Sequence, residues 1–343
     1  MSGNSKPAHT SAEPHTLQTE FQGYSDIVDY ILGITFEIWE QRQVETILDY
    51  YGEDIDVFSM EGITQGAAEM VKQTHATLTA YPDRLLLAEN VIWSGSLARG
   101  FSSHRLTSPM TNRGASGFGP ATGRKVRTMN VADCEITDGK ITREWLLRDN
   151  LALATQLGVD IKDTIKSIAD RFDDTLVNWL RQEFSRVQSG SAYATQAIGE
   201  HAPDAQNAFA RRVLENCWIN GKQRHLQADY APYVFMQRAP TRIFSGRRET
   251  LEHYASWRQT FLDPRLCVDH VCSQPSGINS TDIAVRWSIA GTIRGNLAGL
   301  ATSDAPVYLV GATHWKTLNG RIVAEWTVFD ELSLAAQSMS AAI

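Results

Sequence analysis

Cysteine is scarce in this chain: four in 343 residues, at Cys134, Cys217, Cys267 and Cys272. Their spacings match no zinc pattern, and so few thiols are not the disulfide framework of a chain this long. Cys134, inside the apolar phrase VADCEI, reads as a small buried hydrophobe. Clusters of one charge are also missing. No basic run exceeds a pair such as Arg211-Arg212 or Arg247-Arg248, and the formal net charge is −7. Phosphate binding needs a local cationic surface, so no nucleic-acid partner is expected. No apolar stretch approaches the roughly 20 residues of a bilayer span, so no membrane partner is expected either. The opening MSGNSKPAHTSAEPHTLQTE lacks the apolar segment of a secretory signal and is expected to be a disordered tail over residues 1–20. Together with the few cysteines, this suits a cytoplasmic protein.

Catalytic signatures of several common classes are absent as well. There is no Gly-x-Ser-x-Gly elbow, and no His/Cys/Asp/Glu group has metal-ligand spacing, so no metal is expected. The glycine-rich runs GASGFGPATGR and GTIRGNLAG do not sit between a strand and a helix, so neither is a dinucleotide or phosphate loop, and no cofactor is expected.

What the chain has is a repeat. GKITREWLLRDNLALATQLG at 139–158 and GRIVAEWTVFDELSLAAQSM at 320–339 align at an offset of 181, pairing Glu144 with Glu325, Trp145 with Trp326 and Asp149 with Asp330. Upstream, Trp39 aligns with Trp218 at nearly the same offset. A unit this long is a complete domain, so one domain has been duplicated. The expected boundaries are a first domain at 21–160, a helical segment and linker at 161–205, and a second domain at 206–343.

Within the first copy, SDIVDYILGITFEIWEQ and GAAEMVKQTHATLTAY carry helical periodicity, and IDVFSM alternates like a strand. The segments DRLLLAENVIWSG, RGFSSHRLTS, RKVRTMNVADCEIT and KITREWLLRD then read as successive strands, with Asp138-Gly139 as a turn signal. Helices followed by a run of antiparallel strands specify an α+β domain.

The phrases FSSHRLTSPMTNRGASGFGPATGRKV and VADCEITDGKITREWLLRDNLALATQLG resemble the SnoaL-like polyketide cyclase or ester cyclase family of the nuclear-transport-factor-two-like superfamily. The resemblance covers residues 26–158 and, more loosely, 208–339. It implies two tandem cone-shaped α+β barrel domains, each with N-terminal helices packed on a curved, mostly antiparallel sheet. It also implies a pocket closed by the helices and an acid/base Asp on the last long strand, matching Asp149 and, in the second copy, Asp330. Sheets of this superfamily usually pair back to back. The expected assembly is therefore an intramolecular pseudo-dimer or a homo-oligomer. The implied activity is cofactor-free acid/base chemistry of lyase or isomerase type on a small, carbonyl-containing metabolite. A non-catalytic binding or assembly module and an Asp-dependent hydrolase are the alternatives.

Strand alternation places Trp145, Leu147 and Asp149 on one face of their strand and Glu144, Leu146 and Arg148 on the other. An Asp in an apolar wall would have a raised pKa suited to acid/base work; the competing reading is that Asp149 caps the following helix. His104 is the one histidine of the first copy on a predicted inner strand and could shuttle protons with Asp149, or be a satisfied core histidine. Arg105, Arg148, Asn112, Trp39 and Trp145 are the candidate substrate contacts, with the facing of the two arginines open. The family often carries a His-x-Gly before its glycine-rich loop, and neither copy keeps that His. The second copy has Arg286-Trp287 where the first has His104-Arg105, and ATSDAP where the first has GPATGR. The first copy is therefore expected to be the catalytic one.

Overall fold

The computed structural model describes residues 23–191, 203–239, 241–340 and 342–343. The expected tail and most of the expected linker lie outside those residues. The first domain opens with α1 (Ile27–Trp39), whose Asp26 accepts from the amide of Asp29 as N-cap and whose Ile27, Tyr30, Ile31, Ile34 and Ile38 form one buried stripe. A 3₁₀ turn (Val44–Thr46) and the short α2 (Ile47–Tyr50) lead into β1 (Tyr51–Ser59) and β2 (Gly62–Gln65). Then follow α3 (Ala67–Ala80), β3 (Leu87–Gly95), β4 (Arg99–Thr111), β5 (Lys125–Thr137), β6 (Lys140–Arg148) and α4 (Asn150–Leu157). Asp138 and Gly139 both adopt positive φ (50° and 74°), as a two-residue hairpin turn requires.

After α5 (Ile161–Ala169) and α6 (Asp174–Gln188), the second domain repeats the order. It has α7 (Asp204–Glu215), a π turn (Asn216–Asn220), α8 (Gln223–Asp229), β7 (Tyr230–Ala239), β8 (Arg242–Ser245) and α9 (Gly246–Thr260). The strands β9 (Phe261–Gly277), β10 (Ser280–Leu297), β11 (Leu300–Leu318) and β12 (Arg321–Phe329) and the helix α10 (Glu331–Ser340) complete it. α5 adds Ile165 and Ile168 to the second domain's core.

The expected cone-shaped barrels are not formed. Each domain has an open six-stranded sheet, in the orders β2-β1-β6-β5-β4-β3 and β8-β7-β12-β11-β10-β9, and the two edges of a sheet do not meet. Each sheet is mixed, because β1 runs parallel to β6 and β7 parallel to β12. The physical reason is at the edges. β2 and β8 have only four residues each, too few to reach around, and β3 is engaged with the other domain: Gln274 Nε2 donates to the carbonyl of Trp93 (2.8 Å) and Asn90 Nδ2 to Asp282 (2.9 Å).

The two sheets pack back to back as an internal pseudo-dimer. Phe58, Met129, Val131, Trp145 and Leu147 of one sheet share a core with Tyr308, Val310, Ala312 and Val328 of the other, and α6 adds Leu176, Trp179 and Leu180. The contacts are reciprocal, as expected when a duplicated surface meets itself. The Arg286 guanidinium lies 3.2 Å from the centre of the Trp145 ring, and Arg105 lies 3.9 Å from that of Trp326. Arg286 Nε is 3.1 Å from Asp133, both side chains 1% exposed, and Arg105 pairs with Glu89. Ser103 Oγ and His314 Nε2 hydrogen-bond across the junction at 2.9 Å.

At the end of β6, Asp149 Oδ1 accepts from the amide of Ala152, while Oδ2 lies 3.7 Å from Arg238 and 3.5 Å from Arg242 of the second domain. Its counterpart Asp330 accepts from the amides of Leu332 (3.0 Å) and Ser333 (3.3 Å), and from Asn150 Nδ2 of the first domain (2.7 Å).

Two stability outcomes follow from this interface. Trp145→Ala removes a buried indole and uncovers Arg286, so urea unfolding should register a loss of about 3–5 kcal/mol; a loss below about 1 kcal/mol would show that the stack contributes little. Asp149→Asn keeps an N-cap but leaves the fully buried Arg238 without its anion, for an expected loss of about 3 kcal/mol. Unchanged stability of that variant would mean that the cross-domain charge contact is idle.

Candidate functional site

The helix-facing side of the first sheet, away from the junction, carries a cavity of about 410 Å³, within the range that suits a small metabolite. Strand register explains its walls. On β4 and β5, Ser108 lies opposite Thr128 and Leu106 opposite Asn130, and on β5 and β6, Asn130 lies opposite Arg148. Directly opposed residues of an antiparallel pair point the same way, so these polar groups share one face. α3 and the segment after it supply Thr77, Tyr81 and Arg84, and the β1–β2 turn supplies Glu61. α4 supplies Asn150 and Leu153.

The loop between β4 and β5 covers the cavity with Ala115, Ser116, Gly117 and Phe118. Asn112 organises that loop. Its Nδ2 donates to the carbonyl of Gly114 (2.9 Å) and its Oδ1 accepts from the amide of Thr122 (2.8 Å). Arg171 Nη1 holds the carbonyl of Gly117 from outside (3.1 Å).

Beside the main cavity lies a void of about 10 Å³ lined by Glu61, Arg148, Asn150 and Asp330, close to the space that one water occupies on this measure. The two protons of the Asn150 amide are divided between two carboxylates: Nδ2 donates to Glu61 and, at 2.7 Å, to Asp330. Burial, followed by the neighbouring Glu61, pushes Asp330 up to about 7. A carboxyl whose charge is resisted by burial and by a neighbouring carboxylate can hold a proton near neutral pH. Glu144, buried on the same face of β6 as Arg148, is also pushed up to about 7 by burial, opposed by Arg148 and by its hydrogen bond from Tyr51.

The candidate residues are distributed differently from the sequence expectation. Of the alternating faces of β6, the one with Arg148 looks into the cavity; the one with Trp145 and Leu147 looks into the junction. Arg105 and Trp326 also belong to the junction. Asp149 caps α4 and faces Arg238 and Arg242. His104 is on the helix-facing side of β4, opposite Ala132, but does not line the cavity. It is buried, its Nε2 has no hydrogen-bond partner, and burial pushes it down to about 4. His104 and Asp149 are thus not brought together. Trp39 lies behind the cavity, with the Arg84 guanidinium 4.6 Å from its ring centre. Glu61, Tyr81, Arg84, Asn130 and Asn150 were not anticipated. Of these, only Asn130 carried a usable signal, since alternation along β5 puts it on the face opposite Val131.

The same positions in the second domain are filled. There, β10–β11 register pairs Ile289 with Leu309 and Trp287 with Gly311, and Gly311 lies opposite Phe329 on β12. Ser108, Thr128, Asn130 and Arg148 of the first domain therefore correspond to Ile289, Leu309, Gly311 and Phe329. Trp287 matches Leu106, and Arg286 matches Arg105, a shift of one residue from the sequence alignment. A Cβ at Gly311 would run into the Trp287 ring, so the indole occupies the space above the sheet. Trp218 packs tilted against it and Phe329 edge-on, with ring centres at 4.8 and 5.9 Å. The covering loop is missing too, because β10 and β11 continue as a hairpin to the turn at Ala298-Gly299. Among the described residues, no group of three or more His, Cys, Asp or Glu side chains is gathered to hold a metal. Nor is any helix long and apolar enough to cross a membrane.

Comparison with known proteins returns to the duplication. The chain is similar to a SnoaL-like polyketide cyclase from Agrobacterium tumefaciens, with 19% identity over 39% of this chain and 99% of that one, and a TM-score of 0.34. It is likewise similar to IdmH from Streptomyces antibioticus, with 20% identity over 38% of this chain and 98% of that one, and a TM-score of 0.34. None of the curated proteins matches it. The model of the SnoaL-like polyketide cyclase family matches the chain twice, over residues 31–157 and 208–338. This chain belongs to the SnoaL-like polyketide cyclases, as a tandem duplication of an enzyme family of lyase and isomerase type.

Proposed function

We propose that the first domain is the catalytic one and that its cavity removes a proton from a carbon beside a carbonyl of a small metabolite, in a cyclisation or isomerisation. The observation that carries this reading is the Glu61–Asn150–Asp330 unit next to Arg148 at the cavity wall. Glu61 touches the cavity and is the base. Arg148 faces the enolate oxygen that forms as the proton leaves, where a guanidinium favours the developing charge. Asp330 does not touch the cavity; it acts through Asn150 and its own charge, and is a positioning residue supplied by the second domain. The filled interior of that domain supports the same division of labour.

An ionised Asp330 favours proton uptake beside it, so kcat/KM should rise with pH through a limb near 7, where Asp330 loses its proton. Glu61→Gln should lower kcat by about a hundredfold or more, the range for a positioned acid/base group. Asp330→Asn should abolish the limb near 7, because the group that titrates there is gone. Rate measurements from pH 5 to 9 on folded variants decide the matter. A limb unmoved by Asp330→Asn, or full activity of Glu61→Gln, would overturn the assignment.

A further inference from the structure

The cavity holds a second arginine that the acid/base reading does not use. Arg84 is 8% exposed, yet among the described residues no carboxylate lies within salt-bridge distance of it. Its Nε donates to Ser108 Oγ at 3.0 Å and its plane covers Trp39, which fixes the guanidinium and leaves its other nitrogens to the cavity. Burial, then Arg148, push Arg84 down to about 9, with Tyr81 opposing the shift and Arg42 adding to it. Arg148 contributes a buried Nε without a hydrogen-bond partner on the same wall. A buried guanidinium facing this space with no carboxylate at salt-bridge distance is costly when the space holds only water. An anionic oxygen pair supplies what is missing, since the planar fork of Arg matches it in a bidentate way.

We infer that Arg84, held by Ser108 and Trp39, is the anchor for an anionic group of the substrate, a carboxylate or a phosphate, at a distance from the reacting carbon beside Arg148 and Glu61. The inference rests on the cavity being the substrate site. It adds that the substrate is an anion rather than a neutral ester or ketone. Two of the residues around this charge, Ser108 and Arg148, are matched in the second domain by Ile289 and Phe329.

The test uses the full chain and three probes: benzoate, inorganic phosphate and the neutral benzamide, followed by calorimetry and by thermal melting. At least one of the two anions should bind and raise Tm in the parent, and benzamide should do neither. Which anion binds identifies the group as carboxylate or phosphate. Arg84→Met should weaken anion binding at least tenfold and abolish the rise in Tm, while its unliganded Tm equals or exceeds the parent's, because an unpaired buried charge has been removed. A merely structural Arg84 would lower the unliganded Tm and leave any anion binding intact, which overturns the inference. So does binding of benzamide as tight as that of the anions, or the failure of both anions. Glu61→Gln should bind the anion like the parent, so an error in the acid/base assignment would appear as retained activity in that variant without disturbing this result.

Discussion

The arrangement of the whole molecule depends on two arginines, each laid on a tryptophan of the other domain. Arg286 over Trp145 and Arg105 over Trp326 clamp the backs of the two sheets together, and the buried Asp133 completes the first contact. A desolvated cation–π contact contributes up to about 2 kcal/mol, but its greater consequence is geometric. With the Trp face of β6 and β12 committed to the junction, the opposite face must carry any cavity. This is why the Glu and Trp of the repeated phrase part company. Glu144 and Glu325 turn toward the helices, where Tyr51 and Tyr230 meet them, while the tryptophans turn toward the partner domain.

The same pairing gives the two copies of one aspartate different surroundings. The strand ends converge at the junction, so Asp149 and Asp330 both cap a helix and both face the opposite domain. Asp149 meets two arginines, which favour its charged form against the upward push of burial. Asp330 meets an amide and, beyond it, Glu61, which make it a carboxyl poised near neutrality. Identical residues in the sequence thus acquire different chemistry from what the other copy presents. The second domain packs Trp218, Trp287 and Phe329 into the space above its own sheet.

The duplication and the order of helices and strands were legible in the sequence, because periodicity, turn residues and the 181-residue offset are local or repeated signals; the pairing of the sheets was implied by the family resemblance alone. The openness of the sheets was not, since it depends on edge strands whose partners lie in the other domain. The alternation of β6 was read correctly, yet the inward face was chosen wrongly: a Trp flanked by Leu looks like a cavity wall until a second sheet is set against it. Arg84 and Glu61 sit in a connection and a tight turn, where sequence carries no periodicity to assign a facing. Asn150 follows Asp149 directly, and only the N-cap geometry of α4 turns it toward Asp330.

The central claim is that the tandem chain has one working cavity, in the first domain, completed by a residue of the second. It is tested most directly by a crystal structure of the full chain with a bound substrate analogue, read alongside the calorimetric stoichiometry. The account predicts one molecule per chain, between Arg84 and Arg148, with Glu61 against it and Asn150 bridging to Asp330. A second molecule among Trp218, Trp287 and Phe329, or a single one bound in the second domain, would contradict it.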